Sequence, residues 1–141
     1  MSVPSPRHVA LLVPYRWRGP EPVFFLQVRD DRAPVYPGRI GLFGGHVETG
    51  ETAAVAVVRE AGEELSVGGA PFALTGHRHV CHHVEDGVIR DIYVVPVDEM
   101  FAAEVRVHEG EGGVWLTPQE LMREPRVVDV YQSLLPGFVE R

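Results

Sequence analysis

The sequence predicts an α/β or α+β fold in which helices cover a mixed sheet. Three observations lead to this prediction. Short apolar strand patterns alternate with turn signals in the N-terminal part and again in the middle of the chain. A well-patterned helix separates these two groups, and further helical segments follow the last strand. The 141 residues, 45% of them hydrophobic, suit one domain spanning residues 1–141.

The N-terminal part contains three predicted strands. The apolar run HVALLVPY predicts a buried strand over His8–Tyr15, and PVFFLQVRD predicts a second over Pro22–Asp30. Gly19-Pro20 forms the turn between them, and the prolines of Asp31–Gly38 mark a loop. A short strand over Arg39–Gly45 then ends in two glycines.

The central helix is predicted to run from about Glu51 or Thr52 to Leu65. Apolar residues at helical spacing form a stripe that we expect to face the core, made of Ala54, Val58, Ala61 and Leu65. The glycines and proline of Val67–Pro71 then break the chain.

A β-hairpin is predicted around Asp86-Gly87, a strong signal for a two-residue turn. That turn implies three cross-strand pairs, which are His83 with Arg90, Cys81 with Ile92, and His82 with Asp91. Strict alternation would also place His77, His79 and His83 on one face with Cys81. Three roles are open for this histidine-rich strand: a zinc site, contact with a substrate, or a polar outer face.

The C-terminal part combines one strand with two helices. GVWL predicts a strand over Gly113–Leu116. Thr117 as N-cap, Pro118 in the first turn and Glu120 closing a capping box predict the start of a helix. A last helical segment is expected within Val127–Leu135.

Composition limits the class of partner. The formal net charge of −7 argues against sequence-independent binding to nucleic acid polymers, which requires a basic face. Cys81 is the single cysteine, so no intrachain disulfide can form. No apolar run approaches the ~20 residues of a membrane span. We therefore expect a cytoplasmic protein with a small ligand and no membrane partner.

Three glutamates on the central helix would be unfavourable if the helix served folding alone. Glu60, Glu63 and Glu64 fall within an arc of roughly 100°, and like charges at this spacing destabilise a helix by roughly 0.2–0.5 kcal/mol per pair. The small residues Ala53 and Ala56 in the same arc leave space beside the carboxylates. Clustered oxygen ligands with room for water suit Mg²⁺. A solvated acidic face is the alternative interpretation.

The segment around this helix resembles the Nudix box, in which a glycine and a glutamate precede an Arg-Glu pair and two further glutamates at fixed spacing. The matching residues are Gly45, Glu51, Arg59, Glu60, Ala61, Glu63, Glu64 and Val67. Ser66 stands where the family usually has glycine, which concerns the helix exit more than the chemistry. The segments YPGRIGLFGGHVETGE and GGVWLTPQEL are also similar to segments of this family.

The resemblance implies the Nudix α/β/α sandwich with a mixed central sheet. It also implies hydrolysis of a nucleoside diphosphate linked to another group, with a small nucleotide-type substrate. By position, Glu60, Glu63 and Glu64 would hold divalent cations, Mg²⁺ or Mn²⁺, and the Gly44 carbonyl would add a ligand.

The same resemblance assigns further roles around the cations. Either Glu60 or Glu64 would be the base that activates water, because the family varies on this point. Arg59 would orient the carboxylates through Glu51 or Glu48. Homodimers are common in the family, and the oligomeric state of this chain stays open.

Candidate substrate-binding residues lie outside the box. Arg29 and Arg39 flank the loop that leads into it and could meet phosphates. Glu109 and Glu111 lie in a glycine-rich loop where some relatives supply another glutamate, and Glu111 joins the two arginines as a candidate. Aromatic side chains that could stack a base are Trp17, Tyr36, Phe43 and Trp115, although Trp115 is better explained as a core residue.

Two other functions compete with hydrolysis. A catalytically silent Nudix domain could bind a nucleotide as a sensor or regulator, although the intact Glu60, Glu63 and Glu64 argue against this. A zinc-dependent binding module could use the His77–His83 cluster. The sequence does not identify the nucleoside diphosphate derivative, and a general nucleoside triphosphate pyrophosphatase is the default expectation.

Overall fold

A long, nearly central strand organises the fold. The computed structural model describes residues 6–139. Its strands are β1 Arg7–Arg18, β2 Glu21–Val28, β3 Ile40–Gly41, β4 Phe43–His46, β5 Leu65–Val67, β6 Ala70–Pro71, β7 Arg78–Glu85, β8 Val88–Pro96, β9 Val105–Val107 and β10 Gly112–Leu116. Its helices are α1 Ala53–Glu64, α2 Glu99–Glu104, α3 Pro118–Arg123 and α4 Asp129–Leu134, the last followed by a 3₁₀ turn at Leu135–Gly137.

The main sheet is mixed, as the sequence predicts. Its order is β10-β2-β1-β8-β7, with β3 paired to β2 and β4 paired to β1. Strand β1 runs parallel to β8 but antiparallel to β2 and β4. The N-terminal half of β1 pairs with β4 and its C-terminal half pairs with β2. This division places the start of β1 next to the two glycines of β4.

Helices cover both faces of the sheet. Alternate residues of β1, including Ala10 and Leu12, pack against Val57 and Ala61 of α1. The intervening β1 residues pack on the other face in a cluster that includes Leu121 of α3, Tyr131 of α4 and Leu135. The result is the predicted α/β/α arrangement. No helix among residues 6–139 is both long and apolar enough to cross a membrane.

Two predictions based on short sequence motifs, a hairpin turn and a helix cap, are confirmed. Asp86 and Gly87 both have positive φ, 51° and 74°, as the predicted two-residue hairpin turn requires. The three predicted cross-strand pairs of the β7–β8 hairpin are present. Thr117 and Glu120 form the predicted reciprocal capping box at the start of α3.

The predicted core stripe of α1 is confirmed for Ala61 and Leu65 but wrong for Ala54 and Val58. Ala54 and Val58 are exposed, the latter at 43%, whereas Ala56, Val57, Ala61 and Glu64 are buried. The helix is therefore rotated so that part of its glutamate-bearing face is turned inward. A hydrophobicity pattern assigns every carboxylate to the solvent-exposed face of a helix. That assumption fails for α1, in which the Glu64 carboxylate is buried.

A β-bulge overturns the predicted grouping on β7. The register shifts between His79 and Cys81, which leaves Val80 as an extra residue in the strand. His79 and His82 consequently share one face with Asp91, while Cys81 and His83 lie on the other face. A zinc site that combines His79 and His83 with Cys81 is therefore ruled out by geometry.

Several elements were not predicted. The segment Val67–Pro71, expected only to break the chain, forms the turn of a small hairpin in which Gly68 and Gly69 have positive φ. Strand β5 of this hairpin also pairs with β9, giving a separate three-stranded sheet. The predicted strand Arg39–Gly45 is split into β3 and β4 at Leu42.

Candidate active site

The buried side of α1 carries a carboxylate that meets the backbone of β4. Glu64 is only 4% exposed, and its Oε2 accepts a hydrogen bond of 2.7 Å from the Gly44 N–H. Because Gly44 has a φ of 126°, few other residues would adopt this backbone conformation. A Cβ atom on Gly44 would also lie 2.1 Å from the Ala10 carbonyl oxygen. The close approach of β4 to β1 therefore requires glycine here.

The second glycine of β4 makes room for another carboxylate. A Cβ atom on Gly45 would lie 2.6 Å from the Glu60 Oε1 atom. Glu60 can thus lie against the β4 backbone because β4 lacks a side chain at position 45.

Arg59 links the glutamates to one another. It makes a two-point ion pair with Glu51, at 2.8 and 2.9 Å, and donates to Glu60 Oε1 at 3.0 Å and to Glu63 Oε2 at 3.2 Å. Glu48 lies farther away, at 3.7 Å. The hydrogen bonds from Arg59 lower the pKa of Glu51 to about 2. Arg59 is therefore a fixed cation around which the acidic face of α1 is ordered.

Glu60 and Glu64 have too little positive charge nearby to offset their burial. Burial raises the pKa of Glu64 to about 9, with a further contribution from the neighbouring Glu109 carboxyl. Burial also raises the pKa of Glu60, although Arg59 partly opposes the effect. A cation placed between these groups would favour their ionised forms.

Of the two loop glutamates, Glu109 and Glu111, the structure places Glu109 next to the buried carboxylates of α1. It lies beside Glu64, on the loop before β10. Glu111 is placed differently: its backbone N–H bonds to the Val28 carbonyl, and its charge acts on Arg126. Both glutamates sit in the same glycine-rich loop, and the sequence offers no signal that separates them. Their different placement follows from the way this loop is held against the end of β2.

A cavity of about 200 Å³ opens beside the carboxylates. Gly44, Gly45 and Glu109 line it, together with Arg29 and two further arginines, Arg7 and Arg90. The predicted substrate residue Arg29 therefore faces this space. Arg39 does not line it, because its guanidinium donates to the carbonyls of Arg126 and Val127. Of the aromatic candidates, Tyr36 lines the cavity, whereas Phe43 is fully buried in the core.

The donor set fits a hard divalent cation. Carboxylate and carbonyl oxygens are the ligands that Mg²⁺ and Mn²⁺ prefer, and Glu60, Glu64 and Glu109 supply them at the edge of a cavity. Across residues 6–139, no three His, Cys, Asp or Glu side chains stand in coordinating positions around one point. Arg59 and the Gly44 N–H hold the glutamate oxygens instead. The oxygen donors therefore suit the ion chemically.

The histidine-rich strand forms a separate cluster. Asp91 of β8 accepts hydrogen bonds from His8 at 2.6 Å, from His79 at 2.8 Å and from His82 at 2.7 Å. Burial acts to raise the pKa of Asp91, but these three hydrogen bonds outweigh it and the pKa is lowered. Neither these histidines nor His77 and His83 line the cavity beside α1. The cluster joins β1, β7 and β8.

We expect Asp91→Asn to lower the free energy of unfolding by about 1–3 kcal/mol at pH 7, because three donors lose a buried charged acceptor. The lowered pKa means that this contribution is present above the ordinary value of 3.8 and is lost as the pH falls through the folded-state pKa. Denaturant unfolding of both proteins at pH 7 and near pH 3 should show the difference shrinking in acid. As a control, Asp129→Asn, at a side chain 97% exposed, should cost less than about 1 kcal/mol. An Asp91→Asn protein as stable as the wild type at pH 7 would contradict this account.

A sequence model of the NUDIX domain matches residues 6–138. The sequence matches no curated protein. Among solved structures, a MutT NUDIX hydrolase from Burkholderia pseudomallei is 24% identical with a TM-score of 0.67, over 95% of this chain and 98% of that one.

Two further structures are similar. A NUDIX hydrolase from Alicyclobacillus acidocaldarius is 15% identical with a TM-score of 0.73, over 98% of this chain and 93% of that one. The NUDIX domain of Shewanella oneidensis NrtR, complexed with ADP ribose, is 14% identical with a TM-score of 0.68, over 94% and 86% of the two chains. At such identities these likenesses concern the fold, and they agree with the predicted mixed sheet covered by helices.

Proposed function

Because this chain belongs to the NUDIX domain family, whose members hydrolyse acid anhydrides, we propose that it is a pyrophosphohydrolase dependent on Mg²⁺ or Mn²⁺. Its substrate is a nucleoside diphosphate linked to a second group, and the product is a nucleotide or a phosphate compound. A cytoplasmic location and homodimer formation remain part of the proposal.

One observation carries the proposal. Glu60 and Glu64 are held against the glycines of β4, with Glu109 beside Glu64, at the edge of a cavity that arginines also line. A solvated acidic face would leave these carboxylates in water, whereas Glu64 is only 4% exposed. Keeping an acidic group inside without a cationic partner of its own is unfavourable. An arrangement that brings in a cation removes this cost.

We assign the metal to Glu60, Glu63 and Glu64, with Glu109 and the Gly44 carbonyl as additional oxygen donors. When bound, the metal would neutralise the diphosphate and polarise its phosphoryl oxygens. Arg59 would hold Glu60 and Glu63 in position through the contacts described above. Arg59 is therefore a positioning residue in this scheme.

Side chains of the protein would also accept the proton and bind the substrate. Either Glu60 or Glu64 would accept a proton from the attacking water. Glu64 accepts a hydrogen bond from the Gly44 N–H through Oε2 and lies beside the Glu109 carboxyl. Arg29 would direct positive charge at a phosphate, since its Nε is anchored to the Val35 carbonyl at 2.6 Å. The apolar walls made by Val9, Leu11 and Leu42 would exclude water from the cavity.

A nucleotide-binding domain without turnover is the second candidate. The NrtR domain with ADP ribose has the same fold, and binding alone would need the cavity but not Glu60 or Glu64. The two functions differ in their products. A panel of nucleoside triphosphates, oxidised nucleotides, nucleotide sugars and ADP-ribose, analysed by mass, separates them: hydrolysis yields new masses, whereas binding alone raises only the melting temperature.

Removal of metal should abolish hydrolysis of the best substrate in this panel, and addition of Mg²⁺ or Mn²⁺ should restore it. The metal should also raise the melting temperature, because only the folded chain assembles the ligands. The measurement is turnover and thermal unfolding in excess chelator and after metal is returned. Full turnover in excess chelator would rule out the metal-dependent mechanism.

A further inference from the structure

Arg90 is a buried cation without an acidic partner. It lies on β8 and is 6% exposed. Among residues 6–139, no carboxylate lies within 4.0 Å of its guanidinium, although other arginines such as Arg59 are paired in this way. Buried charged groups are ordinarily paired, because desolvation is costly. The position of Arg90 on the wall of the cavity beside α1 suggests that the missing partner is a ligand.

Two tyrosines hold the guanidinium in place. Its Nη2 donates to the Tyr36 hydroxyl at 3.1 Å, and its central carbon lies 5.8 Å from the centre of the Tyr131 ring. Tyr36 has a φ of 50°, which is uncommon for a bulky residue. The loop carrying Tyr36 is therefore held in an unfavourable conformation that brings its hydroxyl to Arg90. Such strain persists where the surrounding structure enforces it, often at ligand sites.

The Arg90 guanidinium has N–H donors beyond the one that bonds to Tyr36. It carries five N–H groups and no acceptor. The only fully buried side-chain nitrogens without a hydrogen-bond partner in residues 6–139 belong to His77 and His83. Any Arg90 nitrogen that lacks a protein partner therefore keeps some accessible surface. Arg90 lines a second cavity with Arg39 and Asp129 as well as the cavity beside α1. At about 200 Å³ the cavity is smaller than the roughly 300–1,000 Å³ that accommodates a whole drug-sized ligand, so it suits one moiety of the substrate.

We propose that Arg90, positioned by Tyr36, determines specificity by admitting a substrate moiety that presents hydrogen-bond acceptors and rejecting one that presents an amino group at the same place. This inference rests on the proposed function, because it concerns the same cavity. A guanidinium fork matches two neighbouring acceptors, such as the keto edge of a base or the oxygens of a phosphate. An amino group would place its N–H donors opposite the N–H donors of Arg90. Both groups would then lack an acceptor, which is unfavourable in a buried site.

Matched substrate pairs test the proposal. Inosine and adenosine forms of one nucleoside diphosphate derivative differ at position 6, where a keto group replaces an amino group. ADP-ribose and its 2′-phosphate differ by one phosphate. We expect the wild type to prefer the acceptor-bearing member of one pair in kcat/KM. Preference in the first pair identifies a base edge as the moiety, and preference in the second identifies a phosphate.

Arg90→Gln should reduce that preference at least about tenfold. The variant should lower kcat/KM for the favoured member and change it little for the other member. Arg90→Lys keeps the charge but loses the fork, so it should retain only part of the preference. Tyr36→Phe removes one hydroxyl and should weaken the preference in the same direction, which provides a test if the Arg90 variants fail to fold. Arg123→Gln, at an exposed site on α3, is the matched control.

Failure of the inference can be told from failure of the proposed function. If the wild type hydrolyses nothing in the panel, the proposed function fails. The preference is then read from the rise in melting temperature that each nucleotide produces, which needs no turnover. An equal response to both members of each pair would overturn the inference. Equal losses for both members in Arg90→Gln and in Tyr36→Phe would also overturn it, because they would indicate a structural role.

Discussion

Glu64→Gln should lower turnover by about a hundredfold or more, a loss typical of removing a group that transfers a proton or holds charge in the transition state. In the metal-free protein, glutamine can still accept the Gly44 N–H without burying an acid, so the stability should hold or rise. In the presence of Mg²⁺ a ligand is lost, and the stabilisation by the ion should shrink. The measurements are the rate on the best substrate and the melting temperature with and without Mg²⁺.

Two further variants sharpen this test. Glu63, whose side chain is 59% exposed, lies at the outer end of the acidic face, and Glu63→Gln should also reduce turnover and the response to metal. Glu104→Gln removes one charge from an exposed position on α2 and should change neither. If Glu64→Gln and Glu63→Gln keep near-normal rates and an unchanged response to metal, these glutamates neither hold the metal nor take part in hydrolysis.

Gly44→Ala should destabilise the fold by at least about 3 kcal/mol, because a methyl group at this position meets backbone that cannot move away cheaply. The new Cβ would lie 2.1 Å from the Ala10 carbonyl oxygen and 2.9 Å from the Leu11 Cα atom. Such a loss is a large part of the roughly 5–15 kcal/mol that stabilises a typical domain. Denaturant unfolding of the wild type and the variant measures it.

Gly50→Ala is the matched control for this clash. Gly50 also has positive φ, 86°, but no atom lies within 4 Å of the position of its Cβ. Its cost should be the backbone term alone, about 1–2 kcal/mol. If both variants lose the same free energy of unfolding, the close approach of β4 to β1 is not rigid, and Gly44 is needed only for its backbone angle.

The parts of the fold that could be predicted from sequence rest on chemistry between near neighbours. Asp86-Gly87 specifies its turn because both residues tolerate positive φ, and Thr117 with Glu120 specifies a helix start through bonds three residues apart. The bulge at Val80 has no such signal, since any residue can be the extra one. Strict alternation therefore grouped the histidines wrongly. The hairpin register, by contrast, depended only on the turn and was correct.

The site was predictable to the extent that its parts lie close together in the chain. The glutamates of α1 and the glycines of β4 stand in one segment, and the structure brings them into contact. Glu109 and Arg90 come from distant segments, and a single charged residue in a loop or strand does not reveal which wall it faces. The inward rotation of α1 was missed for a related reason, because buried glutamates look like surface residues in a hydrophobicity pattern.

The parallel pairing of β1 with β8 has a consequence for synthesis of the protein. His8 and Asp91, bonded across these strands, are 83 positions apart. At ribosomal rates of about 5–20 residues per second, β8 is completed roughly 4–16 s after β1. During that interval β1 can pair with β2 and β4 along one edge, while its other edge stays open. The nascent chain therefore exposes an apolar strand edge, a target for chaperones or for misplaced strands, until the hairpin of β7 and β8 arrives to cover it.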